Sequence, residues 1–365
     1  MALNLTKLME GIYAQARENG SPVNANFELT SRCNLKCKMC YVCRPVNDQD
    51  AKSQELTAKQ WIQLAREARD AGVLTLTLTG GEVFLRQDFK EIYEALARMG
   101  FILQIYTNGT IITPDIVKWL SKIPPSRVSI TLYGGSAETC ANVTGYAYAY
   151  DRMLRAVDLL NNAGILTEMK TTVIRDNIAD FDSIYQLAQD RKLKFGIVNY
   201  VSPRREGSFS DPEGCRLSPS ELDRFERRVK QINRERRENE EEVALDDAVA
   251  HDEGPLYKQA GEHDAKAFRC AAGSTGFWIT WDGKMTPCGL MDKPATDPVQ
   301  QGVKAAWETL KQHCRLIPTC ETCLQCEYYS YCDSCPGRLL TESGCYTRPA
   351  PYLCETARLR SVKID

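Results

Sequence analysis

Cys33-Asn34-Leu35-Lys36-Cys37-Lys38-Met39-Cys40 sets three thiols with three and then two residues between them, so that one loop can turn all of them toward one point. Thiolates bind soft iron and zinc strongly, and four-iron clusters are normally held by four of them. This loop offers three, with Cys43 a candidate fourth. If Cys43 stays out, one iron is left open and can hold a small molecule. A zinc knuckle or a chance spacing is the plain alternative for the motif alone. Phe27-Glu28-Leu29 reads as a strand, and Thr30 to Arg32 lead from it into the loop. The cysteines therefore lie just past a strand's carboxyl end, where α/β folds bind ligands.

Outward from that loop, a strand-then-helix unit repeats. Thr57 can cap a helix with apolar positions Trp61, Leu64, Ala65 and Ala68, which stops at Gly72. Val73 to Thr79 is then a short β-rich run. Helix 86–99 leads to strand 101–106, Thr113-Pro114 opens the next helix, and strand 128–132 follows. Helix 150–163, strand 168–174, helix 178–190 and strand 195–201 continue the series. Ser218-Pro219-Ser220-Glu221 is a capping box opening a helix over 219–237. Six strands, each followed by a helix, predict an α/β fold: a partial (β/α)6 TIM-like barrel, open-mouthed, with its site at the strands' carboxyl ends.

At 365 residues the chain has room for a large domain and a smaller one. A net charge of −2 and an apolar fraction of 43% carry no nucleic-acid or membrane signature. No run of 18 apolar residues spans a bilayer, and Met1 to Thr6 lacks the apolar core of a secretory signal. Sixteen cysteines, clustered as these are, read as metal ligands of a cytoplasmic protein rather than as disulfides. The expected divisions are 1–24 as an N-terminal extension, 25–235 as the barrel, 236–262 as a charged linker and 263–365 as a cysteine-rich domain. The dense alternating charges of 234–253 read as a solvated helix end and interdomain bridge. His251, His263 and His313 form no metal or triad pattern, and no GxxxxGK[ST] is present. Cys140 and Cys215 lack partners at metal spacing.

The CxxxCxxC spacing, with Thr79-Gly80-Gly81-Glu82 ending the next strand, resembles the radical SAM superfamily. There S-adenosylmethionine chelates the open iron of a [4Fe-4S] cluster through its amino and carboxylate groups. The resemblance implies that Cys33, Cys37 and Cys40 hold that cluster. It also implies that Gly80, Gly81 and Glu82 hold the methionine amino group, with Glu82 facing the barrel mouth. Asn108, in Thr107-Asn108-Gly109, would lie near the cofactor. Thr131 would help hold the methionine carboxylate, with Arg152 a candidate second clamp. The family often has an aromatic residue before the third cysteine; here Met39 would pack on the adenine through its polarisable sulfur.

The tail resembles the SPASM extension of such enzymes, which houses two auxiliary [4Fe-4S] clusters. Phe277 to Met285 reads as a β-hairpin with Asp282-Gly283 in its turn. Carried over, Cys270, Cys288 and Cys335 hold the first auxiliary cluster, and Cys323, Cys326, Cys332 and Cys354 the second. Two residues separate Cys332 from Cys335 where many members have three. Cys314, Cys320 and Cys345 are candidates for the first cluster's fourth ligand, or that site is open to substrate. A pair of zinc ribbons is the plain alternative.

Together these resemblances imply an oxidoreductase that cleaves S-adenosylmethionine reductively and uses the 5′-deoxyadenosyl radical to take hydrogen from a peptide or protein. An external electron donor of flavodoxin or ferredoxin type, and an anaerobic or protected cytoplasm, follow from the same resemblance. A small-molecule dehydrogenase or epimerase of the superfamily is the rival enzyme, and a zinc-binding module the rival outside catalysis. About 25 residues before the barrel are few for a separate peptide-recognition domain. The sequence names no catalytic acid or base.

Overall fold

The computed structural model describes residues 5–203, 212–238 and 268–362. Most of the expected linker, with His251, lies outside the described residues, and so does His263. The described strands are β1 (Asn24–Glu28), β2 (Arg32–Cys33), β3 (Arg44–Pro45), β4 (Thr75–Thr79), β5 (Ile102–Thr107), β6 (Arg127–Thr131), β7 (Thr167–Thr172), β8 (Lys194–Val198), β9 (Gly276–Ile279) and β10 (Met285–Thr286). Six of them run parallel in the order β1-β4-β5-β6-β7-β8, with a helix after each of β4 to β7 and a long one, Pro219–Glu238, after β8. The expected open, parallel α/β architecture is what forms.

Period-two alternation positions the site. In Thr75-Leu76-Thr77-Leu78-Thr79 both leucines are wholly buried, on the face that packs against helices. Phe27 meets Trp61 of helix Ala58–Asp70 with ring centroids 5.0 Å apart, and Phe195 packs on Phe181 and Tyr185 of helix Phe181–Asp190. The opposite face is polar. Register puts Asn26, Thr77, Gln104 and Arg127 in one row, and Tyr106, Ser129, Glu168 and Lys194 in another. The barrel thus turns its apolar side to its helices and a polar side to its interior.

The helix signals read from sequence are realised. Thr57 and Gln60 form a capping box, Thr113 caps a helix with Pro114 at its first position, and Ser218 exchanges hydrogen bonds with Glu221. Helix Ala137–Thr144 was not anticipated. Ser136 caps it and Gly145, at φ +68°, ends it.

The cysteine-rich region does not stand apart. The expected hairpin forms as β9 and β10, and β9 pairs in parallel with β1, extending the barrel sheet at that edge. Phe277, Ile279, Trp307 and Leu310 belong to the barrel's core. Glu67 of the barrel accepts from Val303 N at 2.8 Å, which caps helix Val303–Arg315. A second small core joins Tyr200 to Cys320, Leu339, Ala350 and Leu353.

Candidate functional site

The cysteine loop hangs from both ends. Arg32-Cys33 pairs in parallel with Arg44-Pro45, which closes the loop at its base. Lys36 N donates to Thr144 O at 2.8 Å and Lys38 N to Val143 O at 3.1 Å. Those carbonyls end helix Ala137–Thr144, where acceptors are left over by the helix itself. Cys33, Cys37 and Met39 are buried and Cys40 half-buried. The Cys43 thiol donates to Leu35 O at 3.1 Å, inside the loop.

Three sulfurs share one small volume. Burial, then the charge of Glu82, pushes the Cys33 thiol up to about 12. Cys37 is raised by burial, then by Cys40 and Cys33, and is drawn down by a hydrogen bond from Tyr133. Cys40 is lowered chiefly by its hydrogen bond with Cys43. Among the described residues no three His, Cys, Asp or Glu side chains converge as the ligands of a single ion do. A four-iron cluster places each thiolate on its own iron, so its ligands form a wider ring. Buried thiols without disulfides, on a short loop with amide donors nearby, are a donor set that fits such a cluster.

The Gly80-Gly81 pair has a backbone task. A Cβ on Gly80 would lie 2.2 Å from Thr30 O, and one on Gly81 2.3 Å from Arg32 O. Gly81 N donates to Thr30 O at 2.7 Å and Glu82 N to Arg32 O at 3.0 Å. The two glycines let the end of β4 lie flat on the strand that enters the cysteine loop.

Glu82 does not face an open mouth, which corrects that expectation: it is fully buried. Its carboxylate accepts from Phe84 N at 3.0 Å, Asn108 N at 2.8 Å and Thr107 Oγ1 at 2.8 Å. Burial raises its pKa, against those three hydrogen bonds. The physical reason is topological. The residue after a central strand turns into the cleft between strand ends, and there it ties β4 to β5.

Asn108 is brought to the loop, its Nδ2 3.6 Å from Cys33 Sγ and 3.0 Å from Asn34 Oδ1. Thr131 is half-buried and hydrogen-bonded to Tyr133. Arg152 is not brought in. It is exposed on helix Ala149–Asn162, with its guanidinium 5.5 Å from the centre of the Tyr146 ring. Tyr133, two residues past Thr131, is a site residue that the sequence reading did not name. Burial and the three thiols raise its hydroxyl.

Inside the barrel, Glu168 accepts from Ser129 at 2.7 Å and lies 3.4 Å from Arg127 and 3.5 Å from Lys170. Lys170 donates to Tyr106 Oη at 2.9 Å. Gly196 on β8 makes room for it, since a Cβ there would sit 3.1 Å from Lys170 Cγ. At the other edge Trp278 Nε1 donates to Glu28. None of these lumen residues had been named.

The tail thiols fall into two groups. Cys323 is pushed up to about 12 by burial first, then by Cys320, Cys332 and Cys354. Cys354 is raised by burial, then by Cys332, Cys326 and Cys320. Cys335 caps helix Pro336–Ser343, and Gly337 brings that turn to 3.7 Å from Cys288 Sγ, measured from the position of an added Cβ.

Comparison with known proteins gives the same picture. Residues 27–188 match the Radical SAM superfamily. The chain is 27% identical over 341 residues to the AdoMet-dependent heme synthase of Methanosarcina barkeri, covering 89% of this chain and 94% of that protein. To the PqqA peptide cyclase of Rhizobium meliloti it is 28% identical over 182 residues, 49% of this chain and 48% of that one. Among solved structures, Streptococcus suis SuiB bound to S-adenosylmethionine superposes with a TM-score of 0.71 at 19% identity, over 93% of this chain and 80% of SuiB. That last likeness is one of fold. No described helix is long and apolar enough to cross a membrane.

Proposed function

The chain is a radical SAM enzyme by its domain at residues 27–188, and from that premise we propose that it is an oxidoreductase acting on a carboxylate-bearing small molecule of the heme-type tetrapyrrole class. The observation that carries the substrate class is extent. Similarity to the heme synthase runs through barrel and cysteine-rich tail alike, whereas similarity to the peptide cyclase stops at about half of the chain. The polar lumen agrees with this reading, because Arg127 and Lys170 set cationic groups on the inner face, 3.4 and 3.5 Å from Glu168.

Cys33, Cys37 and Cys40 would hold the [4Fe-4S] cluster, with Glu82, Asn108, Thr131 and Met39 around the bound S-adenosylmethionine. When bound and given an electron from an external donor, that pair would supply a 5′-deoxyadenosyl radical as the hydrogen-abstracting species. The chain's own residues bind, orient and shield. Asn108 offers an amide N–H to Cys33 Sγ and Tyr133 a hydroxyl to Cys37, and hydrogen bonds to cluster sulfurs tune reduction potential. Glu82 and Thr107 fix the strand ends against which the cofactor would lie. Arg127 and Lys170 would meet substrate carboxylates inside the barrel, where a charge-assisted bond is strong. Cys270, Cys288 and Cys335, and Cys323, Cys326, Cys332 and Cys354, would hold two auxiliary clusters in the tail, whose chemistry would be electron transfer.

The test is anaerobic turnover of the iron-reconstituted full chain with S-adenosylmethionine and a reductant, offered either an iron porphyrin bearing propionate groups or cysteine-containing peptides. Formation of 5′-deoxyadenosine in step with a mass change of the porphyrin is the expected result. Turnover with peptide alone would favour the second reading, peptide maturation, which the barrel's similarity to the peptide cyclase supports.

A further inference from the structure

Four tail thiols lie on four separate segments, and two glycine contacts set two of them, Cys314 and Cys288, beside the turns that Cys270 and Cys335 begin. Cys270 opens the tight turn before β9, in which Gly273 N donates to Gly276 O at 3.0 Å and Ser274 N to Ala271 O at 2.9 Å. Gly273, at φ +65°, presses on Cys314: a Cβ there would lie 2.5 Å from Cys314 Sγ. Only a glycine leaves room for that sulfur against the turn that Cys270 begins. On the other side, Cys288 Sγ is the sulfur that faces Gly337, two residues past Cys335. Cys288 and Cys314 also sense each other, for the Cys314 thiol is pushed up to about 12 by burial first and by Cys288 second.

The other two spare thiols point elsewhere. Cys320 Sγ donates to Thr347 O at 3.1 Å and sits with Cys323, Cys332 and Cys354. Cys345 Sγ is 3.3 Å from Thr347 Oγ1, at a half-exposed position. Cys314 is buried in the last turn of helix Val303–Arg315, a helix whose start is fixed by Glu67 and whose Trp307 and Lys311 donate to Gly20 O at 2.9 and 2.7 Å. Its sulfur is therefore held in place by the barrel itself.

We propose that Cys314 is the fourth thiolate of the first auxiliary cluster, which Cys270, Cys288, Cys314 and Cys335 close completely. This rests on the reading that the tail holds iron–sulfur clusters. A closed cluster has no iron free for a substrate thiol, so its role is to pass electrons. The chemistry of the fourth ligand thus excludes substrate ligation at this cluster.

The experiment uses the full chain with Cys33, Cys37 and Cys40 changed to alanine, reconstituted anaerobically, so that only tail clusters contribute. This parent is expected to bind about eight irons and to show two overlapping reduced-cluster signals by electron paramagnetic resonance. Adding Cys314→Ala is expected to lower iron toward about four and remove one signal. Cys314→Asp, which keeps an anionic ligand, is expected to retain iron with one signal shifted. Cys345→Ser is expected to match the parent. The second cluster's unchanged signal reports in the same samples that the tail has folded; loss of both signals in Cys314→Ala is resolved by Cys314→Asp, where an unshifted pair of signals overturns the inference. Unchanged iron and spectra in Cys314→Ala overturn it as well, and so does a first-cluster loss in Cys345→Ser or Cys320→Ser. A parent that binds zinc in place of iron overturns the cluster reading and this assignment with it.

Discussion

Trp278 Nε1 donates to Glu28 Oε2 at 2.9 Å, across the seam where β9 joins β1. Glu28 is wholly buried, and its charge bears on Cys40. The other side of the Trp278 ring lies against Gly289, next to Cys288. One indole therefore spans from the strand before the cysteine loop to the first tail thiols. Trp278→Phe keeps most of the ring and removes the donor. It is expected to cost roughly 1.5–3 kcal/mol, the net contribution of one hydrogen bond to a charged group, read as a lower denaturant midpoint at unchanged m-value.

Glu82→Ala takes the acceptor from two backbone N–H groups and the Thr107 hydroxyl in a sealed site. About 3 kcal/mol or more of stability should go, since buried donors lose their only anion. Glu82→Gln should lose less. Chemical denaturation of the iron-free protein checks both, and an unchanged midpoint in the alanine variant would remove the tie between β4 and β5.

The same carboxylate sets a pH slope. Burial holds its folded pKa above the usual 4.5. Between the two values the folded state keeps a proton that the unfolded state has lost, so stability is present below the unfolded value and falls as pH rises through the folded one. Wild type minus Glu82→Gln should show this decline above about pH 4.5. A flat difference curve would mean that the site is well solvated.

Gly81→Ala forces a methyl to 2.3 Å from Arg32 O, which is backbone and cannot swing aside. Overpacking of this kind costs about 3 kcal/mol or more where nothing can move. Lower thermal stability, with loss of iron from the first loop, is the expected outcome on reconstitution. Normal iron uptake at a normal melting temperature would mean that the β4 end can lift away.

Gly196→Ala is the gentle counterpart. Its methyl would stand 3.1 Å from Lys170 Cγ, the middle of a flexible side chain. Lys170 should be displaced from Tyr106, raising KM severalfold while the melting temperature stays within a few degrees. A kcat loss at constant KM would take Lys170 out of substrate binding.

Much of this was legible in local chemistry. The Thr57, Thr113 and Ser218 caps and the Asp282-Gly283 hairpin are signals carried within a few residues, and each formed as read. The polar lumen was legible in the alternation of Thr75 to Thr79, although a short β-rich run does not by itself say which face turns inward. Helix Ala137–Thr144 carried a Ser136 cap and a Gly145 stop that passed unused. What could not be read was pairing at long range. Glu28 and Trp278 are 250 positions apart, and Cys314 meets Gly273 only because β9 and helix Val303–Arg315 dock on the barrel. The burial of Glu82 likewise depends on strands converging, which no single segment encodes.

The parallel join of β9 to β1 also bears on synthesis. On one side β1 gains its neighbour when β4 emerges, about fifty residues later; on the other it waits for Gly276–Ile279. Until then a nascent barrel presents an open strand edge, the kind of surface on which chains pair wrongly. Contacts this distant also slow closure, because the intervening chain must be ordered first. The residues that complete the sheet at this edge thus leave the ribosome about 250 positions after the strand on which they pair.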